Sequence, residues 1–380
     1  MKLTATSGRN NRTVNDMRQT RCSKRRVLMA LWGCAITFSA AAERVDNLYR
    51  ERVLVANQSD AVRNQAAAEA LQLVLLRASG RQTLADSTAL TRALAKPQRL
   101  IDSFRYESAL DDEAGQAQTR LQMTFSQNSV ESLLRDAGLP IWPENRPSLL
   151  MWLVRDDVHT GRQIVAFADE PEVEAQLVIS AQRRGLPQVL PLLDLQDQLS
   201  LGAEQLWQLD QQAITAASAR YAVDAILVGR YSQTTGGEWL ASWSLQHRQK
   251  QQLFDSRGDD LQALFDRGLG EVAHYLSGIY GITATDRHAD TLVMEVSGID
   301  RFPSYVALTD YLDSLAVLRH VQLLEVRGQS LRFALQPEGR MSLLLDALAL
   351  DKRLKPEAVV TIAGPSQPRA PQLLRFYWAG

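Results

Sequence analysis

The run Ala225-Ile226-Leu227-Val228-Gly229 puts apolar side chains at successive positions, so both faces of a strand formed there meet apolar neighbours. Such a strand belongs inside a sheet. Gly236-Gly237 follows as a turn, and Glu238 to His247 returns with Trp239, Ala241, Trp243 and Leu245 on one face at period two. Around this pair the segment from about 147 to 283 alternates strands and helices. Leu149 to Val154 is a continuous apolar strand, and Val173 to Arg184 is a helix stopped by Gly185. Val189 to Leu193 is an apolar strand, Ala203 to Ala219 a long helix, Gln251 to Phe254 a further strand, and Leu261 to Tyr280 a closing helix. The alternation predicts a mixed α/β sheet with helices packed against it.

Two smaller segments flank this one. From 43 to 142 the pattern predicts a strand at Tyr49 to Ala56 and a helix at Ala61 to Ala78, capped by Ser59 or Asp60 and stopped by Gly80. A half-buried strand follows at Ala117 to Phe125, then a helix from Ser126 to Ala137, with Leu139-Pro140-Ile141-Trp142-Pro143 as a linker. From 290 to 380 the order is strand (Thr291 to Val296), helix opened by Pro303-Ser304, hairpin (Val321 to Val326 with Leu331 to Leu335), helix (Met341 to Leu350) and strand (Ala358 to Ile362). This β-α-β-β-α-β order is that of a ferredoxin-like fold, with Phe376-Tyr377-Trp378 as an added edge strand. The expected fold class is therefore multidomain, α/β and α+β.

Before these segments, Lys24-Arg25-Arg26 precedes an apolar run from Val27 to Phe38 and the small residues Ser39 to Ala42. Basic, apolar and Ala-x-Ala regions in that order predict a signal peptide at residues 1–42, cleaved between Ala42 and Glu43. The apolar run is about a dozen residues, short of the ~20 that span a bilayer. Met17 is an alternative start. Leu31-Trp32-Gly33-Cys34 has the outline of a lipoprotein box, which would anchor the chain at Cys34, although the apolar run continues beyond it. Cys22 and Cys34 both lie in the leader, so cleavage leaves a cysteine-free mature chain and removes thiol chemistry and thiolate metal ligation. Residues 1–42 hold eight Lys and Arg and one acidic residue. Taken from totals of 42 and 43, they leave 34 and 42, a net charge of −8. A nucleic-acid partner calls for a basic face, so none is expected, and neither is a transmembrane segment in the mature chain.

Several stretches carry a resemblance. Ala70-Leu71 with Val74-Leu75 and Ser79-Gly80, Arg184-Gly185-Leu186-Pro187 with Leu190-Pro191-Leu192-Leu193-Asp194, and Ala225 to Arg230 with Trp239 and Trp243 resemble an uncharacterised family of exported bacterial proteins, the domain of unknown function numbered two thousand and sixty-six. That resemblance implies no activity. The strand pair at 225–247 is also similar to one in envelope proteins of the TolB amino-terminal and penicillin-binding-protein-activator type, which implies a non-enzymatic role in an envelope assembly by analogy of fold.

Catalytic patterns are absent from the sequence. There is no Gly-x-Ser-x-Gly elbow, no Ser-x-x-Lys pair, no His-Glu-x-x-His and no phosphate-binding glycine loop. His159, His247, His274, His288 and His320 stand singly, so no metal site or other cofactor is expected. Asp156, Asp157 and His159, with Asp169, Glu170 and Glu172, either hold a hard cation or form a solvated hairpin tip and an acidic helix start. Arg184, Asp194, Asp197 and Arg230 are the candidate ligand-binding residues. Ligands of open α/β sheets lie at the carboxyl ends of strands, where Asp194 would point, and an arginine there pairs with an anion. Equally, Asp194 caps the next helix and pairs with Arg184. Trp239 and Trp243 form either a binding platform or a layer beneath the closing helix. The leading expectation is a periplasmic accessory or scaffold protein that binds another cell-envelope protein. The alternatives are a periplasmic binding module for a small anionic ligand and a hydrolase without a recognisable motif.

Overall fold

A computed structural model describes residue 45 and residues 47–110, 117–283, 292–357 and 373–380. The cleavage site at Ala42 and Glu43, Cys34 and the strand expected at Ala358 to Ile362 lie outside the described residues. The chain begins with β1 (Arg50–Val55) and α1 (Asp60–Ser79), then α2 (Thr88–Ala95), β2 (Ile101–Leu110), β3 (Ala117–Phe125) and α3 (Gln127–Asp136). Next come β4 (Leu149–Asp157), β5 (Gly161–Ile164), α4 (Pro171–Arg184), β6 (Gln188–Val189), α5 (Leu195–Ser200), α6 (Ala203–Trp207), α7 (Gln211–Ser218), β7 (Ala225–Gln233), β8 (Trp239–His247), β9 (Lys250–Gly258) and α8 (Leu261–Tyr280). The chain closes with β10 (Leu292–Ser297), α9 (Phe302–Asp313), β11 (Leu318–Arg327), β12 (Ser330–Pro337), α10 (Met341–Leu350), β13 (Leu354–Pro356) and β14 (Leu373–Trp378).

Three sheets result: β1-β3-β2, then β5-β4-β7-β8-β9 with β6 also on β4, and β11-β12-β10-β14-β13. In the middle sheet β7 is interior, parallel to β4 and antiparallel to β8. Leu227 and Tyr231 face one core with α8, while Val228 faces a second core with Ile214 and Leu206. This is the two-sided burial that its apolar run requires. Trp243 lies in the first core, stacked on Phe254 and covered by α8, and its indole N–H donates to Ser256 Oγ at 2.9 Å. The ring sits directly on the helix backbone, since a Cβ at Gly268 would come within 2.5 Å of it. Trp239 is half-buried against Tyr231, so the two tryptophans are packing residues and not a platform.

Elsewhere the structure corrects the expectation. In the last sheet β14 pairs in parallel with β10 and antiparallel with β13, so the tail strand is interior and separates β10 from the edge. That order departs from the ferredoxin-like pattern. The helix expected over Ala203 to Ala219 is two, because Leu209 turns to φ +58° and the Asp210 carboxylate caps α7 by accepting from the N–H groups of Gln212 and Ala213. The segment Leu139–Pro143 is no loose linker. Trp142 is fully buried, its backbone N–H donates to Ala78 O at 2.8 Å, and Ile141 bridges Ile282.

Arg146 lies immediately beyond that junction and is 0 % exposed. All five of its N–H groups donate to backbone carbonyls: Nε to Pro143, Nη1 to Arg184 and Gly185, Nη2 to Arg77 and Trp142, at 2.9 to 3.0 Å. Its guanidinium stacks on Trp142 with 3.9 Å to the ring centroid. Arg77 and Arg184 lie in the last turns of α1 and α4, so the cation sits at the negative ends of two helix dipoles. Burial, with Arg77 close by, lowers its pKa to about 9, which keeps it charged at neutral pH. Gly185 accommodates this contact: φ is +63°, and a Cβ would approach Arg146 Nη1 to 2.4 Å.

The last sheet is tied in by Asn145 Nδ2 donating to Ala347 O (2.9 Å), by the pair Arg135–Glu338 (3.2 Å) and by Arg248–Asp346 (2.9 Å). The described residues accordingly form one compact unit. Among the described residues no helix is long and apolar enough to cross a membrane. Replacing Arg146 by Met orphans five carbonyls in a buried site, and at ~1–3 kcal/mol for each buried group left unpaired, partly relieved by water, we expect a loss of about 4 kcal/mol. Urea unfolding would measure it, and a loss below about 1 kcal/mol would show that the guanidinium is dispensable.

Candidate functional site

The candidate residues separate. Arg184 ends α4 on the α8 side of the middle sheet, where Nη1 donates to Arg81 O at 3.2 Å and the guanidinium lies over Gly270. Burial lowers its pKa. Arg230 points to the opposite side, donating to Trp207 O at 2.7 Å. Asp194 meets neither of them. The guanidinium that it holds is Arg220, at 2.6 and 2.8 Å in a two-pronged pair.

Asp194 is the N-cap of α5, accepting from Asp197 N–H at 3.1 Å. Asp197 is buried and forms the centre of a network. It accepts from Arg220 Nη1 at 3.0 Å, from Leu193 N–H at 3.0 Å and from the Tyr221 hydroxyl, while that hydroxyl accepts from Leu192 N–H at 2.8 Å. Gln198 Nε2 adds a bond to Leu193 O at 2.8 Å. Leu193 is held at φ +49°, a conformation that costs a leucine about 1 kcal/mol. It persists because both its backbone groups are bound from the side. The arginine and the Asp197 N–H hold the Asp194 carboxyl down to about 2, and burial with the Asp197 contact pushes the Tyr221 hydroxyl up to about 12. Every charge here is paired internally, so this cluster is a clamp on the 190–197 loop and offers no open anion site.

What the clamp displays is apolar. Leu192, Leu195 and Leu199 are 71, 70 and 80 % exposed. Leu195 and Leu199 share one face of α5, and Leu192 stands at the mouth of a cleft of about 690 Å³ floored by Phe167, Leu190, Pro191 and Leu201 and edged by Asp169 and Glu174. Val189 to Leu193, expected as a strand, is extended ladder only at Gln188–Val189. The remainder leaves the sheet to form this loop.

Four of the other carboxylates are engaged. Asp157 accepts from the N–H groups of His159 and Thr160 at the β4–β5 turn, Asp156 faces Arg162 at 3.5 Å, Glu170 pairs with Arg155 at 2.5 Å, and Asp260 caps α8. Among the described residues no cluster of three His, Cys, Asp or Glu is arranged to hold a metal ion. Arg220 and Tyr221 were not legible as site residues, because they lie over twenty positions from the carboxylates they bind.

Residues 42–143 match a domain of unknown function, DUF8605. This covers β1 to α3 and the Trp142 junction, and it is a different family from the one that the sequence motifs suggested, though equally without assigned activity. No curated protein matches the chain. Among solved structures, one described as the crystal structure of an uncharacterized protein is similar at 12% identity over 35% of this chain and 97% of the other, with a TM-score of 0.14. A likeness that slight carries neither fold nor function.

The Asp194 carboxyl has a folded pKa near 2 against ~3.9 unfolded, so its contribution is present above pH ~4 and lost as pH falls through about 2. A carboxyl-carbon NMR titration of Asp194 should give a midpoint near 2. A midpoint near ~4, the free value, would mean that the pair with Arg220 does not form in solution.

Proposed function

We propose that the chain is an exported bacterial accessory protein that binds another cell-envelope protein through the leucine surface at 192–199. The observation that carries this reading is a strained loop, fixed by a buried carboxylate, that presents three leucines to solvent. Exposed apolar groups held in a rigid frame suit docking, because little entropy is lost on binding. The apolar floor and the acidic edge at Asp169 and Glu174 fit an amphipathic helix with basic flanking residues, laid into the groove. The leader at 1–42, with cleavage at Glu43, supports the periplasm as the compartment, and the similarity of β7–β8 to the TolB-type strand pair supports an envelope assembly. The anionic-ligand reading loses its support, since Arg184, Asp194 and Arg230 do not converge.

A photo-crosslinking residue at Leu195, introduced in cells, tests both parts. The expected result is one discrete adduct in the periplasmic fraction on a chain starting at Glu43, reduced at least roughly tenfold by Leu192→Ser with Leu199→Ser, as the loss of two anchors of ~1.5 kcal/mol or more each requires. No adduct, or one indifferent to the leucines, would contradict the binding surface. A chain retained in the cytoplasm would contradict the export.

A further inference from the structure

A second surface lies on the first sheet, away from the leucine loop. β1 pairs with β3 alone, so its other edge has no strand partner among the described residues. Phe125 N–H donates to Tyr49 O at 2.9 Å. Because antiparallel ladders alternate, Glu51 and Val53 turn their backbone groups to β3, and Arg50, Arg52 and Leu54 turn theirs outward. The contact of Arg77 Nη1 with Arg50 O at 2.8 Å confirms that this carbonyl faces away from the sheet. The Arg52 N–H donates to Glu51 Oε1 at 3.1 Å, and among the described residues the Arg52 and Leu54 carbonyls and the Leu54 N–H have no partner along the edge.

That edge forms one wall of a cleft of about 840 Å³, and the opposite wall is Gly185 to Gln188 with Ile179 and Arg183. β6, within that wall, pairs with β4 and has no second strand partner among the described residues. The ionisable groups along the cleft are Arg50, Arg52, Arg77 and Arg183 against Glu51 and Glu69, an excess of positive charge in a chain whose residues 43–380 are strongly acidic. Arg77 is paired with Glu51, and Arg183 with Asp266 at 2.8 Å, whereas Arg50 is exposed and Arg52, although its Nε donates to Gln122 Oε1 at 2.9 Å and lies 3.9 Å from Glu107, keeps 59 % of its side chain exposed on the side where Leu54 is 57 % exposed. Charged residues on an edge strand also discourage self-pairing, and two arginines repel a second copy of the same edge. The same pair attracts carboxylates set opposite them.

We propose that the outer edge of β1 accepts an extended acidic segment of another polypeptide as an added strand. Its main chain would pair with the Arg52 and Leu54 carbonyls and the Leu54 N–H. Alternate carboxylates would lie beside Arg50 and Arg52, and the intervening apolar side chains would turn to the floor at Val53, Leu73 and Leu186. The recognised pattern is therefore alternating acidic and apolar residues, about four of which lie along the part of β1 beyond Arg50 that Arg77 leaves open.

The test uses the mature chain and a fluorescein-labelled Glu-Val-Glu-Val-Glu-Val peptide, followed by anisotropy, with the Lys-Val repeat and an alternately N-methylated Glu-Val repeat as controls. The Glu-Val peptide should bind, and both controls should bind at least roughly tenfold more weakly. Leu54→Pro removes an outward N–H and leaves the β1–β3 ladder intact, so it should abolish binding in a folded chain. Arg50→Glu with Arg52→Glu should do the same without touching the backbone. On adding the peptide, hydrogen exchange should slow at Leu54 and stay unchanged at Val53. Equal binding of the Glu-Val and Lys-Val peptides, binding indifferent to both variants, or unchanged exchange at Leu54 would each overturn the proposal. Leu192→Ser with Leu199→Ser should leave peptide binding intact, and loss of binding there would show that the peptide sits on the leucine surface instead.

Discussion

Arg146 gives every one of its N–H groups to a carbonyl, and those carbonyls belong to the ends of α1 and α4 and to its own preceding turn. A buried guanidinium without compensating negative charge would be costly. Here the carbonyls of two helix termini accept its hydrogen bonds and add their partial negative charge to that of the nearby Glu144, so the cation is fully compensated only while both helices keep their positions. The first and middle sheets are held together by this requirement. Trp142 beneath the guanidinium and Gly185 beside it extend the constraint, one by stacking and the other by leaving room.

The two exposed surfaces depend on this arrangement. Arg77 lends a backbone carbonyl to Arg146 and uses its own side chain to reach Arg50 O and Arg183 O, so the floor of the β1 cleft is built from the same joint that fixes the sheets. Beyond Gly185 the chain makes only two residues of strand before it leaves the sheet, and the Asp197 network then fixes the course of the 190–197 loop. One local event, the end of α4, thus sets one wall of the cleft and the start of the leucine loop.

Much of the architecture was legible in the residues. The two-faced run at Ala225 to Gly229, the period-two return with Trp243, and the helix at Met341 to Leu350 appear where the patterns place them. β2 was missed because a register shift between Ile101 and Ser103 interrupts its alternation, and α2 because eight residues give little periodicity. In the site, Asp194 as a cap was readable from its position before a short helix. Its partner Arg220 was not, because the pairing depends on how α7 returns to the loop. Arg146 was illegible for a more general reason: all its partners are backbone carbonyls, and a carbonyl leaves no trace in the residue type that bears it.

The central claim is that the first sheet and the middle sheet open as one unit because they share a buried cation. Native-state hydrogen exchange on the intact chain, in increasing denaturant, measures this directly. The account predicts that the amides of Val53, which points to β3, and Leu227, in β7, converge on a single opening free energy. Opening of Val53 several kcal/mol below that of Leu227, with the middle sheet still protected, would show that the first sheet is an independent element and that Arg146 does not join them.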